Sequence, residues 1–152
     1  MKALAAEVSL HTRAPATQLW TLLQDVTQMG RWSPECVGGQ WLGPVAMAES
    51  GRRFRGRNRV GILRWSTTCT IIAAEPGRLL TFDARHWSGA ATRWTYTLTP
   101  DDLGTTVRES FRTINSPAPI VLLDRILGRP RRLRGHMVST LQRLCADSER
   151  MP

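Results

Sequence analysis

Apolar side chains recur along this chain at two periods, and the switches between them mark its parts. Residues 4–12 alternate, with Leu4, Ala6, Val8 and Leu10 on one side and Glu7, Ser9 and His11 on the other, as in a strand with one buried face. From Ala14-Pro15-Ala16-Thr17 the period lengthens. Proline suits the first turn of a helix, and Leu19, Trp20, Leu22 and Leu23 give that helix a buried face before Asp25. A second helical piece over 26–32 is predicted to stop at Ser33-Pro34, because the residue before a proline is pushed out of the helical region.

Alternation then returns. Val37 to Trp41 reads as a short strand between glycines and Pro44, followed by a loop over 47–51. In residues 52–59 the odd positions, Arg53, Arg55, Arg57 and Arg59, are all arginine, while Phe54, Gly56 and Asn58 occupy even ones. A core does not accept four unpaired cations, so the even side faces in. After a turn at Gly61, Leu63, Trp65, Thr67, Cys69 and Ile71 share the inner face. Glu75-Pro76-Gly77 turns the chain, Leu80 and Phe82 point inward, and His86 keeps their parity up to a turn at Ser88-Gly89. Trp94, Tyr96 and Leu98 alternate inward next, a hairpin loop spans 100–104, and Val107, Glu109 and Phe111 alternate on the last strand.

From Ala118 to Asp147 the helical period resumes. Leu133, Met137, Val138, Leu141, Leu144 and Cys145 line one face, and Arg131, Arg132, Arg134, Gln142 and Arg143 the other, so this helix lies on a surface instead of being buried all round. Ser116-Pro117 fits a cap and first turn, and Gly128-Arg129-Pro130 predicts a kink or break. The sum is an α+β fold: about seven antiparallel strands in a curved sheet wrapped around a long C-terminal helix, with two short helices after strand one.

Length and charge narrow this picture. A chain of 152 residues fits one domain, 1–152, able to bury roughly two thirds of its unfolded surface without staples. Cys36, Cys69 and Cys145 are odd in number and widely spaced, which argues against a disulfide framework or zinc site and for a reduced, cytoplasmic setting. Lys2 is followed by only four apolar residues, too few for a signal-peptide core or a membrane span. The net charge of +9 raises the question of nucleic acid, but no helix-turn-helix, zinc-finger or RNA-binding signature accompanies it, so the arginines are read as surface first.

The order of elements, together with the segments Pro15-Ala16-Thr17-Gln18-Leu19-Trp20, Gly30-Arg31-Trp32-Ser33-Pro34-Glu35-Cys36 and Gly51-Arg52-Arg53-Phe54-Arg55-Gly56-Arg57-Asn58, resembles the SRPBCC (START-like) superfamily, and within it the small bacterial polyketide cyclase/dehydrase and lipid-transport group. Glu75-Pro76-Gly77-Arg78, Arg93-Trp94-Thr95-Tyr96 and Glu109-Ser110 extend the likeness over nearly the whole chain. The resemblance implies a helix-grip fold with a deep apolar cavity between sheet and closing helix, used for lipids, polyketides or other hydrophobic small molecules. Aromatase/cyclases of this group set arginine, tyrosine, serine or tryptophan side chains around a polyketide chain. Strand parity here puts no arginine inward on the central strands.

Polar exceptions on an apolar inner face are where such a cavity would act. Glu109, between Val107 and Phe111, is either an acid/base group with a raised pKa or half of a buried ion pair with an arginine. Tyr96 and Asn58 either orient a ligand carbonyl or sit hydrogen-bonded in the core, and His86 is a third acid/base candidate. Glu109, Tyr96 and His86 are thus the catalytic candidates. Trp32, Phe54, Asn58, Trp65, Thr67, Phe82, Trp94, Phe111, Met137 and Leu141 are the ligand-binding ones, and no residue pattern calls for a metal or cofactor.

Three functions remain open at this point. One is a cofactor-free polyketide cyclase/dehydrase-like enzyme, the second a non-catalytic lipid or ligand carrier or sensor. In the third, Arg125, Arg129, Arg131, Arg132 and Arg134 dock an acidic acyl carrier protein or an anionic membrane surface. The chain is expected to be a monomer or homodimer.

Overall fold

The computed structural model describes residues 4–152. Lys2 and Ala3, which enter the reading of the N-terminus, lie outside the described residues. Seven strands, β1 (Ala5–Thr12), β2 (Cys36–Leu42), β3 (Arg53–Val60), β4 (Leu63–Glu75), β5 (Leu79–Arg85), β6 (Ala91–Asp101) and β7 (Gly104–Asn115), form one antiparallel sheet in the order β1-β7-β6-β5-β4-β3-β2. Strands β2 to β7 follow one another by hairpins, so each lies beside its neighbour in sequence. The two edge strands, β1 and β2, are joined by α1 (Ala16–Leu23), a 3-10 turn at Val26–Gln28 and α2 (Met29–Trp32). Helices α3 (Ala118–Ile126) and α4 (Arg129–Glu149) close the chain.

The helical connection starts and stops for local reasons. Pro15 is the N-cap of α1, one residue earlier than a first-turn position, because its extended backbone (ψ 151°) cannot continue the helix backwards. Asp25 separates α1 from the 3-10 turn by accepting the Thr27 N–H at 3.1 Å and the Thr27 hydroxyl at 2.6 Å. Gly39 on β2 then passes against the Val26 carbonyl, where any Cβ would collide. Leu19, Leu23 and Val26 thereby join Leu98, Val107, Leu141 and Leu144 in one buried cluster, all nearly inaccessible to solvent.

Strand parity is read correctly on the six strands for which it assigns a face, all but β2. Phe54 faces Cys69, Ile71 faces Phe82, Leu80 faces Tyr96, and Tyr96 faces Glu109 across successive ladders. The outward arginines of β3 are exposed, and on β6 the outward Arg93 grips Asp83 of β5 with two hydrogen bonds of 2.6 and 2.9 Å.

Four details differ from expectation. The expected loop over 100–104 shrinks to a two-residue turn, because the Asp101 carboxylate accepts the Leu103 N–H at 2.8 Å and Gly104 adopts a φ of +141°. Leu63, the first residue of β4, lines the cavity but is 61 % exposed there instead of buried. Ser116 caps nothing: Pro117 is the N-cap of α3 and no side chain bonds the first turn. Val138 lies 41 % exposed at the margin of the α4 stripe, one helical step of about 100° past Met137, while Thr140 and Ser148 fill inner positions instead.

The break at 128–130 is a full interruption. Gly128 takes the left-handed conformation (φ +65°), which ends α3 and starts α4 as a separate helix with Pro130 in its first turn. Leu133, Met137, Leu141, Leu144 and Cys145 are buried along α4, whereas Val121 is the one buried residue among the described residues of α3. The two halves of the closing segment are therefore held by very different amounts of apolar surface.

Candidate functional site

Sheet and closing helices leave a cavity of about 460 Å³ between them, within the range of small-molecule sites. It takes Phe54, Asn58, Trp65, Thr67, Phe82, Trp94, Tyr96 and Glu109 from the sheet, His86 from the β5–β6 turn, Trp32 from α2 and Met137 from α4. Two candidates lie elsewhere. Phe111 packs in the core with its ring 5.4 Å from that of Trp94, and Leu141 is fully buried a turn beyond Met137. Neither lines the cavity: periodicity selects a face, and these two share the right face at the wrong depth.

Glu109 and Tyr96 are brought together. They are direct cross-strand partners on β7 and β6, and the Tyr96 hydroxyl donates to Glu109 Oε1 at 2.8 Å. Glu109 is 2 % exposed, and its Oε2 has no hydrogen-bond partner among the described residues. The arginine that an ion-pair reading requires is thus absent from this carboxyl group among the described residues. Burial pushes its pKa up to about 8, against the smaller opposing effect of the Tyr96 hydrogen bond. Burial also raises the Tyr96 phenol well above its ordinary value, helped by the adjacent Glu109, so Tyr96 stays a donor. At neutral pH Glu109 is mainly the carboxylic acid. With Oε1 accepting from Tyr96, the proton belongs on Oε2, the oxygen without a partner.

His86 is not part of that pair. Its Nδ1 lies 2.8 Å from Ser88 Oγ and accepts the Ser88 N–H at 3.3 Å, which leaves Nε2 as the protonated nitrogen of the neutral ring. Its backbone pairs with Ala90, just before β6 begins and six residues along from Tyr96, or roughly 20 Å between backbones. Histidine and dyad therefore serve opposite ends of the cavity. Cys36 also lines it, but burial raises its thiol pKa, so it is held as an unreactive thiol.

Sequence reasoning missed the polar cluster at the mouth. Arg129, expected on a solvated helix face, reaches Glu35 at 2.6 Å and lies 5.4 Å over the Trp65 ring. His136 Nδ1 approaches the other Glu35 oxygen at 3.4 Å, and Asp124 of α3 lies 3.8 Å from Arg129 Nε. Asp124 is pushed up in pKa by burial, an effect that Arg129 partly offsets. These groups also line the cavity, so the α3–α4 joint is tied to the loop before β2 across its opening. The one available signal was position: Arg129 lies inside the Gly128–Pro130 break, where a helix face no longer dictates direction.

A curved antiparallel sheet closed by a C-terminal helix over a largely apolar cavity is a helix-grip architecture. The chain belongs to the polyketide cyclase/dehydrase and lipid transport family, whose model matches residues 3–146. Among solved structures it is similar to StfQ, the di-domain aromatase/cyclase of the steffimycin biosynthetic pathway, with a TM-score of 0.77 and 15% identity; 97% of this chain is covered, and it spans 51% of the StfQ chain. It is similar also to DynU16, a protein from the dynemicin biosynthetic locus (TM-score 0.68, 17% identity, 96% of this chain and 47% of that one). The polyketide-cyclase-like protein Cgl2372 from Corynebacterium glutamicum matches at 28% identity with a TM-score of 0.56, over 98% of this chain and 91% of that one. No curated protein matches. Among the described residues no helix is long and apolar enough to cross a membrane.

Proposed function

We propose that this chain binds a hydrophobic, carbonyl-bearing small molecule of polyketide type in the cavity and acts on it as a cofactor-free acid/base catalyst. The observation that carries this reading is Glu109, a buried acid among the residues that line the cavity, with an unpartnered Oε2 and a pKa of about 8. A neutral acid there gives its proton to a ligand carbonyl oxygen, and the carboxylate left behind, steadied by the Tyr96 hydroxyl, takes the α-proton from carbon as the enol forms, which restores the acid. Trp32, Trp65 and Trp94 offer flat walls for fused rings, and Asn58 and Thr67 are the further polar contacts. A passive carrier would not need an acid tuned to near neutral pH.

The reading is tested by fluorescence titration with an aromatic polyketone probe. The parent chain is expected to bind it. Ala84→Phe, which fills the cavity from β5, is expected to weaken binding at least about tenfold, since a lost apolar contact set of this size exceeds about 1.4 kcal/mol. Glu109→Gln, which still donates a hydrogen bond, is expected to retain binding and lose turnover of a polyketone that cyclises. Equal binding by the parent and Ala84→Phe would reject the cavity as the site, and full turnover by Glu109→Gln would reject the catalytic role.

A further inference from the structure

The mouth of the cavity carries an exterior that ligand binding does not use. Ile62, at the tip of the β3–β4 hairpin, is 97 % exposed, and Trp87, at the tip of the β5–β6 turn, is 90 % exposed. Their neighbours Leu63, Arg64, His86 and Ala90 line the cavity, so both tips stand at its rim. Helix α3 completes the rim. Ile120 and Asp124 face the cavity, Val121 is buried, and Leu122 and Ile126, one turn apart on the outer side, are 59 % and 72 % exposed. Large apolar side chains scattered singly are ordinary, but a set projecting from three separate elements around one opening is not.

The unpaired charge of the rim is one-signed. Arg59 and Arg64 are exposed cross-strand partners beside Ile62, and Arg125 is exposed on α3. Among the described residues none of the three takes part in an ion pair. The nearby acids, Glu35 and Asp124, are already committed to Arg129. Arg59 also donates to the Gly61 carbonyl at 3.0 Å, within the hairpin turn.

We infer that this rim docks the cavity mouth onto an anionic lipid surface. The arginines meet the headgroups, while Ile62, Trp87 and the outer side of α3 enter the boundary with the acyl chains. Two other occupants fit less well. A second copy of the chain would set arginine rim against arginine rim. An acidic protein would answer the arginines but not two isolated apolar tips, which only a deformable apolar phase covers together. The inference stands on the exterior alone and needs no ligand in the cavity.

The test is co-sedimentation of the full chain with vesicles of phosphatidylcholine, with and without phosphatidylglycerol. The parent chain is expected to bind the anionic vesicles, to leave the neutral ones largely unbound, and to detach as salt rises. Ile62→Asp with Trp87→Asp, both at fully exposed positions, is expected to lose about tenfold or more of the binding with an unchanged melting curve. Arg59→Glu with Arg64→Glu is expected to do the same, because reversing two charges repels the surface. Failure to bind anionic vesicles overturns the inference, as does equal binding by the variants. Capture of an acidic acyl carrier protein, or dimerisation, through these side chains without vesicle binding also overturns it. None of these outcomes bears on Glu109, whose test reads the cavity.

Discussion

Glu109→Gln is expected to melt progressively higher than the parent chain as the pH is raised from 5 towards 9, with the gap opening to roughly 15 °C. In the unfolded chain the carboxyl group ionises near its ordinary value of 4.5, while in the folded chain it holds its proton up to about 8. The folded state therefore binds this proton more tightly. Its contribution to stability is complete below about 4.5 and is lost as the pH rises through 8, a change on the order of 5 kcal/mol. Glutamine keeps the shape and the Tyr96 hydrogen bond but does not titrate, so the difference between the two melting curves isolates this one group. A gap that stays constant with pH would mean that Glu109 is solvated or paired in the folded state. The same neutral acid is what the proposed chemistry needs, so the stability cost at alkaline pH and the acid/base role share one cause.

Leu144→Ala is expected to cost about 3 kcal/mol, seen as a fall of roughly 10 °C in melting temperature. Leu144 is fully buried on α4 and does not line the cavity, so its removal leaves a void in the solid part of the core and spares the ligand site. On α3, Leu122→Ala removes a side chain that is more than half exposed and is expected to shift stability by no more than about 0.5 kcal/mol. Thermal melts of the two variants side by side check the contrast. Equal losses would show that the closing segment is held uniformly along its length. The expected asymmetry instead leaves α3 as the weakly held part of the roof, next to the mouth, with Arg129 as its tether to Glu35.

Alternation was enough to find the inner face of six strands, while β2, with its glycines and a bulge between Cys36 and Gly38, was given none. The run of arginines on β3 decided its orientation by charge alone, and the same parity brought Tyr96 and Glu109 to one face, where the ladder makes them partners. Periodicity has no depth coordinate, which is why Phe111 and Leu141, on the correct faces, were grouped with cavity residues although both pack beyond the opening. It also could not pair Glu35 with Arg129, because 94 residues separate them and each sits at an irregular joint where no repeat fixes the side-chain direction. Nor could a sequence decide between an ion-paired and a lone Glu109. That depends on which arginines the sheet turns inward, and β3 and β6 turn theirs out. His86 shows the converse: right parity put it at the cavity, but the length of β6 holds it far from the dyad.

The central claim is that a neutral carboxylic acid waits at the wall of a ligand cavity. The most direct measurement is an NMR titration of the Glu109 side-chain carboxyl carbon in isotopically labelled protein, assigned by its loss in Glu109→Gln. The account predicts a midpoint of about 8. A midpoint near the ordinary 4.5 would contradict it.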